Sequence, residues 1–140
     1  MVYKILVCGG RQYGRKWDYV NQRWSIDIAI VRRQYRFLIN MCRTIGEDEY
    51  LIIHGAADGA DSIAAGFVRY MNKYPDDCFK VFEDPWPADW KEHKRAAGPI
   101  RNRLMLTQNP KLVISMPGGV GTADMIRISK KAGVPVYEVK

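Results

Sequence analysis

The chain has 140 residues, 47% of them hydrophobic, enough for a single domain that buries its own core. Its 22 Lys+Arg against 15 Asp+Glu give a formal charge of +7, which attracts nucleotides, nucleic acid and anionic surfaces alike and selects none of them. No apolar stretch approaches bilayer length, and the start "MVYKILVCGG" reads as a strand and not as a cleavable leader, so a cytosolic location without membrane contact is expected.

Tyr3 to Cys8 is a short apolar run stopped by Gly9-Gly10 and reads as a buried strand. Trp24, Ile28, Val31, Tyr35, Leu38 and Cys42 then recur at spacings of four and three, the pattern of an amphipathic helix, and Ile26, Ile30, Phe37 and Met41 widen its apolar surface. That surface suits packing on a sheet and leaves a homodimer open. Arg32, Arg36 and Arg43 form a basic stripe on another face, either solvated or turned to nucleic acid. Tyr50 to His54, stopped by Gly55, reads as the second strand, and Asp58 to Tyr70 as an alanine-rich helix. Phe79 to Phe82 is the third strand. The loop "DPWPADW" after it places Trp86 and Trp90 either over the core or against a stacked base. Pro99 to Thr107, with proline in the first turn, predicts a helix, Leu112 to Met116 a fourth strand, Thr122 to Ala132 a helix and Val134 to Val139 a fifth strand. Alternation of this kind predicts an α/β sandwich: a mostly parallel five-stranded sheet with helices on both faces, in one domain over residues 1–140.

Cys8, Cys42 and Cys78 are odd in number, far apart and without C-x-x-C spacing, so neither a disulfide framework nor a zinc cluster is suggested. His54 and His93 are equally isolated, and no metal or cofactor is expected.

Ligands in folds of this class bind beyond the carboxyl ends of the strands, and four segments converge there. They are Gly9-Gly10-Arg11, His54 to Asp61 ("HGAADGAD"), Ala97 to Asn102 ("AGPIRN") and Gly118 to Asp124 ("GGVGTAD"). Glycines let a backbone approach a ligand closely, and the free N–H groups of a helix's first turn bind anions. The strand, glycine turn, hydroxyl and helix around Gly118, Gly119, Gly121 and Thr122 therefore read as a phosphate site. It is neither a Walker A sequence nor G-x-G-x-x-G. Arg101 and Asn102 are placed in a first helical turn, where a cation is disfavoured unless an anion is shared with it. Arg95 and Arg103 add positive field or are simply solvated. Asp61 and Asp124 lie near helix starts, as caps, as partners for ribose hydroxyls, or as general acid or base.

The ordered motifs "CGGRQY", "HGAADGADSIA", "PADW", "AAGPIRNRLM" and "VISMPGGVGTADM" resemble the YspA/YpsA-related branch of the SLOG superfamily, whose relatives include the lonely-guy phosphoribohydrolases and the DNA-processing protein DprA. The resemblance runs from Val2 to about Val139. It implies a Rossmann-like three-layer α/β/α fold and a pocket for a nucleotide or nucleotide-derived ligand. Carried over by position, Gly9, Gly10 and Arg11 match the first loop, Gly55, Gly59 and Asp61 the second, Arg101 and Asn102 the third, and Gly118, Gly119, Gly121 and Thr122 the fourth. Lonely-guy enzymes carry a catalytic Glu in P-G-G-x-G-T-x-x-E; here that place is Met125, with Asp124 one residue earlier. A one-residue shift turns a helical side chain by roughly 100°. Related sequences also commonly have Arg at Asp58 and an acid at Gln12, and Gly14 to Asn21 looks expanded.

Three readings follow. The first is a sensor, carrier or sequestering protein that holds a nucleotide-derived ligand through Gly118 to Thr122 and Arg101, with a base stacked on Trp90. The second is an N-glycosidase or phosphoribohydrolase in which Asp124 or Asp61 stabilises an oxocarbenium-like transition state. The third is DprA-like binding of single-stranded DNA, which ranks last because glycine-rich pockets suit a small ligand better than a strand.

Overall fold

Strand β1 (Tyr3–Cys8) is apolar at consecutive positions because both of its faces are covered. Ile5 and Val7 point to one side of the sheet and Leu6 and Cys8 to the other, each set joining a separate apolar cluster. The computed structural model describes residues 2–140 and places β1 at the centre of a five-stranded, all-parallel sheet. β4 (Glu49–His54) and β5 (Lys80–Pro85) lie on one side of β1, and β6 (Leu112–Ser115) and β7 (Val136–Glu138) on the other, in the order β5-β4-β1-β6-β7. Strand order therefore reverses at β1, and the crevice beyond β1 and β6 is where a parallel sheet of this kind holds a ligand.

Helices α1 (Ile28–Ile45) and α2 (Ala60–Lys73) cover one face, with Leu38, Cys42, Ile63, Phe67 and Met71 packed on Ile5, Val7, Ile52 and Ile114. α4 (Ala97–Leu106) and α5 (Val120–Lys131) cover the other, where Met105, Met125 and Ile128 meet Leu6, Ile53 and Val113. A one-turn helix, α3 (Trp90–His93), and a 3-10 turn over Lys94–Ala96 lead into α4. This is a Rossmann-like α/β/α sandwich. Among the described residues no helix is long and apolar enough to cross a membrane. Cys8 and Cys42 are buried and Cys78 is exposed, all as free thiols.

The sequence periodicity placed Trp24 and Ile26 on the first helix; the structure puts them elsewhere. β2 (Arg15–Asp18) and β3 (Arg23–Ile26) form an antiparallel hairpin that pairs with no other strand, and α1 begins only after Asp27. Asp18 accepts the N–H groups of Val20 and Asn21 and so organises the turn. Trp17 and Trp24 are register partners and meet edge to face with ring centroids 5.6 Å apart. Cross-strand aromatic pairs of this kind are what an isolated hairpin needs to persist. The four-residue spacing from Trp24 to Ile28 imitated a helical repeat across a real chain turn.

The end of α1 is tied to β4 by one fully buried hydroxyl. Tyr50 Oη donates to the Cys42 carbonyl (2.6 Å) and accepts the Glu47 N–H (2.9 Å). Removing that hydroxyl takes away both bonds, while the Cys42 carbonyl keeps the Gly46 N–H (3.0 Å), a loss of about 0.5–1.5 kcal/mol for each bond. Tyr50→Phe is expected to lower the unfolding free energy on that scale, read as a lower urea midpoint with an unchanged m-value; an unchanged midpoint would contradict the assignment.

Candidate functional site

Three loops that leave carboxyl ends of the sheet meet at Gly10. Its N–H donates to the Pro117 carbonyl (2.9 Å), and its carbonyl accepts the Ala60 N–H (3.1 Å). The glycines around it are required by close approach. A Cβ on Gly59, whose φ is +75°, would lie 2.2 Å from the Gly10 oxygen, and one on Gly118 would lie 2.6 Å from the Gly10 nitrogen. A Cβ on Gly55 would run into the Arg101 guanidinium. Gly55, Gly59 and Gly118, expected to face a ligand, are instead packing positions outside the cleft lining.

The remaining expected residues do converge. Gly9, Gly10, Arg11, Asp61, Trp90, Arg101, Asn102, Gly119, Gly121, Thr122 and Asp124 line a cleft of about 430 Å³, with Cys8, Met105 and Met125 as an apolar floor. That volume lies in the range of small-molecule sites. A Cβ added at Gly119 or Gly121 would meet no protein atom within 4 Å.

Arg101 faces the cleft from α4. It is the fifth residue of α4, not a first-turn residue, because the 3-10 turn and Ala97 start the helical path early. The dipole penalty expected for it therefore does not apply, and its strain is one of solvation. Burial pulls its pKa down from the ordinary value, Asp61 acts the other way, and Arg11 adds to the lowering. Its Nη1 donates to the Gly55 carbonyl (2.7 Å), while its buried Nε has no partner. A half-buried guanidinium with an orphaned N–H is short of acceptors.

Neither aspartate is a helix cap. Gly59 and Gly119 hold the cap positions of α2 and α5 without side-chain bonds. Asp61 is buried, and its Oδ2 accepts the Ala57 N–H (3.2 Å). Burial pushes its pKa up, against the opposing pull of the Ala57 N–H, Arg101 and His54. Asp124 is the fifth residue of α5 and is held by Asn102 Nδ2 (3.1 Å), Arg103 Nη1 (3.3 Å) and Arg127 Nη2 (2.8 Å). Its partial burial opposes ionisation, but those three bonds outweigh it and keep the pKa below the ordinary value. Asn102 also donates to the Gly121 carbonyl (3.1 Å), so it splices α4 to the start of α5. Cys8 is no nucleophile in this setting, since burial pushes its pKa up to about 12.

Trp90 starts α3, where a loop was expected, and the Arg11 guanidinium lies over its ring, 4.9 Å from the centroid. Trp86 packs instead on the apolar cluster under α4 and α5. Among the described residues no group of three His, Cys, Asp or Glu side chains is placed to hold a metal ion.

Over 88 residues the chain is 35% identical to the Gene 61 protein of Mycobacterium phage D29, an alignment spanning 61% of this chain and 68% of the relative. The chain belongs to the family of that Gene 61 protein. No protein-family model matches the chain, and no solved structure matches it.

What the sequence did not disclose in this Gene 61 relative is the support behind the cleft. His54 was set aside as isolated; it is buried between Glu83 and the turn after β4. Its position at the carboxyl end of a strand, just before a glycine, was the available signal. Arg103 and Arg127 likewise act on Asp124 and not on the cleft.

The pKa of Asp61 carries a definite sign. A folded-state value above the unfolded one means that ionisation costs stability, in full above both values and not at all below the ordinary carboxylate range. Asp61→Asn keeps an oxygen for the Ala57 N–H. It is expected to raise Tm at pH 7, with the gain shrinking to nothing as pH falls below about 4. A gain that is the same at both pH values would contradict this origin.

Proposed function

We propose that this protein binds a nucleotide or nucleotide-derived ligand, as a SLOG-type sensor, carrier or sequestering protein. The observation that carries the reading is the open space before Gly119 and Gly121, faced by the incompletely bonded Arg101. A phosphate there would receive the free N–H groups of the α5 first turn and a guanidinium together, which is the pairing that helix N-termini and arginines supply to phosphates. Neither glycine is demanded by a protein contact, and the open space beside both leaves room for a bound group.

The Arg11–Trp90 pair closes the other end of the cleft. An exposed cation–π contact is worth about 0.5–1 kcal/mol, whereas stacking a base on an aromatic is worth about 1–3 kcal/mol. Arg11 is therefore readily displaced, or retained on the outer face, when a base takes the ring. Asp61 and the apolar floor of Cys8 and Met105 suit a ribose. Binding is favoured over glycosidic cleavage because Met125 stands where lonely-guy enzymes carry their Glu, and Asp124 is already engaged by three donors.

Adenosine monophosphate is the probe. Gly121→Ala is expected to stabilise the empty protein by about 0.5–1 kcal/mol, as an alanine in a helix does, while weakening binding about tenfold or more in calorimetric titration. Equal affinity in parent and variant would sink the reading. Chromatography of the titrated sample is expected to return the nucleotide intact; liberated adenine would move the account to a phosphoribohydrolase.

A second reading, contact with a single nucleic-acid strand, is favoured by the hairpin. It exposes Trp17, Tyr19 and Trp24 among Arg15, Lys16 and Arg23, and the exposed Arg32 and Arg36 follow on α1. Aromatic and cationic side chains interleaved in this way are the elements of strand-binding surfaces. On this reading retention of a 20-nucleotide oligothymidylate falls steeply between 50 and 200 mM salt and is lost on replacing both Arg32 and Arg36 by Glu. Retention unchanged by either treatment would remove it.

A further inference from the structure

We infer that His54 is a positioning residue for Arg101, acting as a fixed hydrogen-bond acceptor beneath the turn that anchors the guanidinium. The inference rests on the phosphate reading of the cleft for its functional consequence, and on its own geometry for everything else.

His54 is the last residue of β4 and is 2% exposed. Its Nδ1 lies 3.0 Å from the Ala56 nitrogen and its Nε2 2.7 Å from Glu83 Oε1. A backbone N–H has only a proton to offer, so Nδ1 is the bare nitrogen. The ring proton therefore sits on Nε2 and is donated to the Glu83 carboxylate. Glu83, on the neighbouring strand β5, thus selects the tautomer that makes Nδ1 an acceptor. Carboxylates fix metal-ligating histidines by the same means.

The acceptor is needed because of what it holds. Ala56 adopts φ +55°, a left-handed conformation that costs a residue with a side chain some stability and persists only where neighbours enforce it. The bend turns the Gly55 carbonyl to Arg101 Nη1 (2.7 Å) and the Ala57 N–H to Asp61 Oδ2 (3.2 Å). One imidazole nitrogen therefore orients Arg101 and Asp61, two of the charged side chains that line the cleft. The charged groups around the ring are Glu83 from β5, Asp61 from α2 and, across Gly55, Arg101 from α4. His54 itself does not line the cleft.

Two substitutions separate the acceptor from the bulk of the ring. Asparagine can put its amide oxygen where Nδ1 stands and so keeps the bond to Ala56. Glutamine can put its amide nitrogen where Nε2 stands, keeping the bond to Glu83 and losing the one to Ala56. His54→Asn is expected to bind adenosine monophosphate within about twofold of the parent, and His54→Gln about tenfold more weakly, the scale of one hydrogen bond lost. The Arg101 side-chain N–H resonances should shift in His54→Gln and hold in His54→Asn. A site that needs only volume would give the opposite order, since glutamine is closer in size to histidine, and that order would overturn the inference.

The imidazole nitrogens of the parent protein provide a check that needs neither ligand nor variant. Their nitrogen-15 shifts should report a bare Nδ1 and a protonated Nε2, and a protonated Nδ1 would overturn the inference even if His54→Gln failed to fold. If the parent does not bind adenosine monophosphate, the phosphate reading fails by itself. The Arg101 resonances then still decide whether His54 positions that side chain.

Discussion

Two backbone bonds of Gly10, one to Pro117 and one from Ala60, hold together the three glycine loops at the carboxyl end of the sheet. They draw three chain segments to van der Waals contact where no Cβ fits on Gly59 or Gly118, and a Cβ on Gly9 would meet Ala60 at 2.6 Å. Backbone contact at that distance has two consequences. It makes the floor of the site rigid, and it forces side chains out, so that recognition must come from peptide N–H groups and from α4 on the facing side.

Charge reaches the cleft from both faces of the sheet, Asp61 from α2 and Arg101 from α4. Arg101 and Asp61 are both buried enough for desolvation to be the largest influence on their pKa values, in opposite directions. Burying such groups costs stability unless each is bonded on several sides. Asp61 has the Ala57 N–H, and Arg101 has the Gly55 carbonyl and nothing at Nε. The protein carries the residual cost of the unpartnered Arg101 Nε. Asp124 shows the opposite treatment: its three donors satisfy it within the protein and bind α4 to α5.

Much of the sheet was legible because buried parallel strands are continuous apolar runs with glycine stops; β1, β4 and β6 fall within a residue or so of the runs at Tyr3, Tyr50 and Leu112. The loop ends were legible for the same reason, since Gly9-Gly10, Gly55 and Gly118-Gly119 follow strands. What the glycines do was not. Gly59 and Gly118 serve chain packing while Gly119 and Gly121 leave space, and no local pattern separates a glycine that avoids a clash from one that leaves a surface open. The hairpin was hidden because Trp24 and Ile26 extend a helical spacing that belongs to α1 alone. The first turn of α4 was misplaced because proline at position 99 suits N1 as well as N3, and the preceding 3-10 turn carries no signature.

Residue-resolved nitrogen–proton spectra of the protein, recorded during titration with adenosine monophosphate, test the phosphate reading most directly. Shifts are expected to concentrate in the amides of Gly119, Gly121 and Thr122 and in the Arg101 side chain, with the hairpin from Arg15 to Ile26 unmoved. Shifts centred on the hairpin, or none at saturating nucleotide, would contradict it.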